Sequence, residues 1–98
     1  MFEQLEQLAA EMRTKFGPQG LSIAYVKCKP TSNPAAYFDI DTDKVIARAT
    51  VWESLEVDLE AIELASQRNV IAENHRVANT DELLTLLSDY FVRIKELV

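Results

Sequence analysis

Ninety-eight residues, 48% of them apolar and 27% charged, describe a chain that folds around one core and exclude a disordered one. Sixteen acidic residues against ten basic ones give a formal charge of −6, which serves solubility, repels phosphate backbones and anionic membranes, and favours basic partners. A single cysteine, Cys28, excludes an intrachain disulfide and a thiolate metal cluster. A single histidine, His75, excludes a multi-histidine metal site.

Phe2, Leu5, Leu8, Ala9, Met12 and Phe16 recur at three- and four-residue steps, which predicts an amphipathic helix. The charges between them are foreign to a secretion signal, and no segment approaches the roughly 20 apolar residues of a membrane span, so a cytoplasmic location is expected. Gly17 offers a left-handed cap and Pro18 stops the helix. LSIAYVKCK, residues 21–29, is rich in β-branched and aromatic residues and predicts the first strand. After the turn-forming TSNPA, the stretch AYFDID predicts a second strand, ended by Asp41-Thr42-Asp43-Lys44. VIARATVW predicts a third, LEVDLEAIEL a fourth and NVIAENHRV a fifth.

Short strands joined by short loops specify an antiparallel meander, because parallel neighbours need long crossovers. Asn79 and Glu82 then have the spacing of a capping box, and Asp81 and Glu82 suit the positive end of a helix dipole. Leu83, Leu84, Leu86, Leu87, Tyr90, Phe91, Ile94 and Leu97 form a broad apolar stripe that needs a sheet to lie on. The expected architecture is α+β, one domain over residues 1–98. It has an N-terminal helix, an antiparallel meander of about five strands and a C-terminal helix, with both helices on one face of the sheet and water on the other.

The register of the third and fourth strands follows from side-chain partnership. A three-residue turn at Glu53-Ser54-Leu55 sets Trp52 opposite Glu56, Thr50 opposite Asp58 and Arg48 opposite Glu60. The other face then joins Val51 to Val57 and Ala49 to Leu59, so one face is apolar and the other polar, with an Arg48–Glu60 pair. A two-residue turn would mix the faces. The chosen turn asks for a positive φ at Leu55, where glycine is normal, at a cost of about 1 kcal/mol. Either the loop takes another shape or something rewards a large apolar residue there. Alternation breaks at Ala61, Ile62 and Leu64, which predicts a bulge or a strand buried on both sides.

Glu56, Asp58 and Glu60 thus form an acidic ladder on the solvent side of a strand, with Trp52 and Glu53 at its entrance. The plain reading is that these acids solvate an open sheet. The functional reading is a surface for a basic protein, with an aromatic anchor of the kind enriched at interface hot spots.

No arrangement of residues points to catalysis. His75 has no sequence signature joining it to a nucleophile and reads as a surface residue. Cys28 lies between Lys27 and Lys29, which favours the thiolate, yet a reduced structural cysteine is the simpler reading. Asp39, Asp41 and Asp43 have the spacing of the first calcium-loop ligands, but the glycine and closing glutamate are absent. The chain is expected to be no enzyme and to need no cofactor or metal.

The stretch VWESLEVDLEAIEL resembles the TriTu immunity proteins of bacterial contact-dependent growth inhibition systems, in which a Val-Trp-Glu-Ser-Gly turn leads into an acidic strand. Val51, Trp52, Glu53 and Ser54 match the turn, Asp58, Leu59 and Glu60 match the strand, and Leu55 stands in place of the glycine. The Glu73-Asn74-His75 strand and the acid-capped helix from Asn79 are also similar, so the resemblance is carried by the C-terminal half. It implies a small α+β domain that binds and neutralises a cognate toxin. That toxin would be the transfer-RNA-cleaving C-terminal nuclease domain of a large exported protein, able to work with elongation factor Tu. The residues expected to meet it are Trp52, Glu53, Glu56, Asp58 and Glu60, in a heterocomplex holding one copy of this chain and without direct contact to nucleic acid. Two other classes stay open: a small acidic secretion chaperone holding an effector segment, and a hydrolytic or lyase enzyme using the acidic face.

Overall fold

The computed structural model describes residues 1–98. Helix α1 (Phe2–Phe16) buries Leu5, Leu8, Ala9, Met12 and Phe16, the face its periodicity predicts. Its end differs from expectation. Gly17 stays right-handed at φ −53°, and a 3-10 turn over Gly17–Gln19 carries the chain to Gly20, whose φ of 96° makes the reversal. Proline is at home in the first turn of a helix, where its missing N–H has no partner, so Pro18 tightens the chain instead of turning it. The left-handed step falls one turn later, at the second glycine.

Strands β1 (Ser22–Lys27), β2 (Ala35–Asp41), β3 (Val45–Trp52), β4 (Glu56–Glu63) and β5 (Arg68–Arg76) form one sheet in the order β1-β2-β3-β4-β5, antiparallel throughout. Helix α2 (Thr80–Glu96) closes the chain. Asn79 accepts the Glu82 N–H at 2.9 Å, while the Glu82 carboxylate accepts the Ala78 N–H at 2.8 Å. The reciprocal cap exists, with its return bond one residue earlier than the capping-box pattern.

Both helices cover the same face of the sheet, and a core of 22 buried residues joins them to it. Ala47 and Ala49 on β3 leave room where α2 passes over, and α2 fills it with Leu83, Leu87, Tyr90, Phe91 and Ile94. Small residues facing large ones give a dense core without voids. Phe38 meets the Phe91 ring edge-on at 5.6 Å and the Tyr25 ring at 5.3 Å, which ties β2 to α2 and β1. Each fully buried residue of this size stabilises the fold by about 1.5–3 kcal/mol.

The break in alternation along β4 is a bulge, and its extra residue belongs to the neighbouring strand. Ala61 pairs with Ile71 and Ile62 with Asn69, which leaves Val70 over. Ile62 and Leu64 are not buried on a second side; 37% and 45% of each is in water.

Candidate functional site

The β3–β4 register is the one that side-chain partnership demands: Arg48 opposite Glu60, Ala49 opposite Leu59, Thr50 opposite Asp58, Val51 opposite Val57. One face of this hairpin is therefore core and the other faces water. Leu55 takes φ 71°, the left-handed conformation the turn requires. Its N–H donates to the Trp52 carbonyl at 2.9 Å, its own carbonyl accepts the Val77 N–H at 3.0 Å, and its side chain packs on the core. That packing is the reward for an apolar residue at the tip.

The turn is also gripped from the β1–β2 loop. Ser54 donates its N–H to the Asn33 side-chain oxygen at 3.2 Å and accepts from the Asn33 amide at 3.2 Å, while the Glu53 N–H donates to the Pro34 carbonyl at 2.8 Å. A loop, a hairpin tip and the residue after β5 thus fix the ground on which half-buried Trp52 and exposed Glu53 stand.

Glu56, Asp58 and Glu60 stand in a row on the outer face of β4, but their charges are not equivalent. Glu56 is paired with Arg76 at 2.5 Å, and Asp58 accepts from the Asn74 amide at 2.5 Å. Glu60 has no ion pair. The expected Arg48–Glu60 pair does not form, although the two residues are opposite each other. Arg48 instead turns to its other neighbour, Asp39 on β2, through two bonds of 2.6 and 3.0 Å. The reason lies beside it: the guanidinium rests 4.0 Å above the centre of the Tyr37 ring, also on β2, and in that pose presents its fork to both oxygens of Asp39. The bond to Asp39 raises the Arg48 pKa further above its ordinary value.

The outer face is wider than the ladder. Tyr37, Asp39 and Asp41 from β2, Ile46 and Arg48 from β3, and Asn74 and Arg76 from β5 join it by register. The alternation of AYFDID was the signal for the β2 residues. Between β2, β3 and β4 the surface dips into an open depression of about 270 Å³.

The other face holds a different cluster. Glu73 on β5 accepts from Arg93 on α2 at 2.5 and 3.1 Å and lies 2.8 Å from the His75 ring nitrogen. Arg93 first, and His75 second, pull the Glu73 carboxyl down to about 2. His75 is half-buried on the helix side of the sheet and contributes to this clamp; it is not part of the outer face. The buried Tyr90 hydroxyl donates to the Glu60 backbone carbonyl at 2.6 Å, and loss of water around it raises its pKa well above the usual phenol value.

Residues 3–93 match the family model for Immunity protein TriTu. This chain belongs to the TriTu immunity protein family. The match takes in α1 as well as the hairpin and α2, so it reaches beyond the segment that carried the resemblance in sequence. No curated protein matches the chain. A TriTu immunity protein implies a cognate toxin as partner, and such families are not typically catalytic. In this TriTu protein the motif Val51-Trp52-Glu53-Ser54 forms the outer end of β3 and the gripped turn. No helix of it is long and apolar enough to cross a membrane.

Proposed function

We propose that this TriTu immunity protein neutralises the nuclease toxin of a contact-dependent growth inhibition system by laying its outer sheet face over the basic surface with which the nuclease holds transfer RNA. One observation carries the reading. The face left uncovered by both helices bears Asp39, Asp41, Glu56, Asp58 and Glu60 against Arg48 and Arg76, with Trp52 at its end. A surface evolved to hold phosphates is basic, and an acidic sheet complements it, which speeds capture and selects the partner. A face built on five hydrogen-bonded strands also loses little freedom on docking, so the cost of ordering is small.

In this reading the immunity protein works by occlusion in the cytoplasm, one copy per toxin domain, without touching RNA and without turnover. Elongation factor Tu, where the toxin uses it, belongs to the toxin's side of the complex. The test is growth of cells that express the C-terminal nuclease domain of a candidate toxin, with and without this chain, alongside association kinetics of the purified pair. Protection with stoichiometric binding supports the reading. Binding only to an unfolded segment of the exported protein, by a dimer of this chain, would assign it to secretion chaperones instead.

A further inference from the structure

Ile46 on β3 and Ile62 on β4 are cross-strand partners on the outer face, with 43% and 37% of each residue in water. Water-facing positions of a sheet ordinarily carry polar side chains, and here two large β-branched ones stand side by side. They line the open depression together with Asp41 and Glu60. Both carboxylates are without an ion pair, whereas Asp39 at the same rim is neutralised by Arg48. The hairpin tip with Trp52 lies at the other end of β3, so the depression is a separate feature of the same face.

We propose that this depression is a second contact point of the docking face, shaped for one long basic side chain, arginine or lysine, projecting from the toxin; it rests on the toxin-binding reading of that face. The aliphatic stem lies along Ile46 and Ile62, and the charged head reaches Asp41 or Glu60. The chemistry rejects other occupants. A second copy of this chain would bring like charge against like, a phosphate would meet Asp39, Asp41 and Glu60 with the one guanidinium, Arg48, already paired to Asp39, and an open dish buries too little of a small apolar molecule.

The experiment uses the full chain and the catalytically inactivated nuclease domain of the toxin from which it protects cells. Two double variants separate the parts of the site. Ile46→Thr with Ile62→Thr keeps β-branching and removes the exposed apolar surface. Asp41→Asn with Glu60→Gln keeps the shape and removes the charge. Each is expected to weaken binding by about tenfold or more, and the carboxamide loss should shrink at high salt while the threonine loss persists. One arginine or lysine of the toxin, changed to alanine, should remove the effect of both double variants in a double-mutant cycle. If both double variants bind within about twofold of the unaltered chain while Trp52→Ala or Glu56→Lys weakens binding, the depression is no contact point and the docking face stands. If the unaltered chain does not bind, the proposed function falls and this inference falls with it. Should the threonine pair unfold the sheet, Asp41→Asn alone, which leaves the ladder intact, takes its place, and a loss that one toxin arginine or lysine cancels in the double-mutant cycle decides the matter.

Discussion

Arg48 faces Glu60 across the β3–β4 ladder yet gives its guanidinium to Asp39 on the opposite side, at 2.6 and 3.0 Å. The acidic face is therefore divided between carboxylates already answered from within the protein and carboxylates free to attract a partner. Arg48→Ala should release Asp39 and deepen the negative field. The expected result is faster association with the toxin domain, by a few-fold at low salt, with stability changed by less than about 1 kcal/mol because the pair is exposed. Stopped-flow association at two salt concentrations checks both.

Reversal of the ladder should act with the opposite sign. Changing Glu56, Asp58 and Glu60 to Lys is expected to slow association and weaken binding, most at low salt. Each single reversal changes the charge of the face equally, so each should slow association by a similar factor, and Glu56→Lys also leaves Arg76 without its partner. A charge-reversed protein that stays folded, binds unchanged and still protects cells would reduce the ladder to a solvated surface.

Trp52→Ala should be felt in dissociation instead. In the proposed docking the half-buried aromatic at the edge of the face would be an anchor, and its removal is expected to cost about 2 kcal/mol of binding, mainly through a shorter lifetime of the complex. Surface-bound dissociation rates read this directly.

The hairpin tip allows a test in which glycine outperforms alanine. Leu55→Gly relieves about 1 kcal/mol of left-handed strain but gives up core packing, so its net effect should lie within about 1 kcal/mol of zero. Leu55→Ala keeps the strain and loses the packing, and should destabilise by about 1–2 kcal/mol. Urea denaturation of the two variants, compared with the parent, checks the order.

The Glu73–Arg93 clamp predicts a pH dependence. With its carboxyl held near 2 in the folded chain, against 4.5 ordinarily, Glu73 is charged in both states above about 5 and contributes its full stability there. That contribution is lost as pH falls from 4.5 towards 2, where the unfolded chain takes up the proton first. Arg93→Ala should therefore lower stability at neutral pH by about 0.5–1 kcal/mol, the range for partly exposed pairs, and the difference from the parent should vanish as pH approaches the folded-state value. Thermal melts between neutral and acidic pH give the comparison.

Element order, strand register and the shared side of the helices were legible because each rests on local chemistry: period, turn length and apolar–polar partnership. What escaped was set by third parties. Arg48 had two acidic neighbours, and the choice between them belonged to Tyr37, a residue diagonal to it on another strand. The left-handed step passed from Gly17 to Gly20 because Pro18 favoured one more right-handed turn. Ile62 broke the apolar–polar alternation and fitted either a bulge or a strand buried on both sides; its pairing with Ile46, next to the buried Ala47–Ala61 pair, puts both isoleucines on the open face. The helix-side place of Glu73 and His75 was hidden by the β4–β5 bulge at Val70, since one extra residue exchanges the faces of everything beyond it.

Each strand of the sheet lies beside the strand that precedes it in the chain, so the sheet is a run of hairpins with no long crossover to close. Such a topology keeps the search for partners short and places the chain among the faster-folding sheet proteins, on the order of milliseconds to tens of milliseconds. For an immunity protein this is a matter of timing. The cognate toxin meets whatever stock of folded partner is present, and each newly made chain joins that stock almost as soon as α2 settles on the sheet.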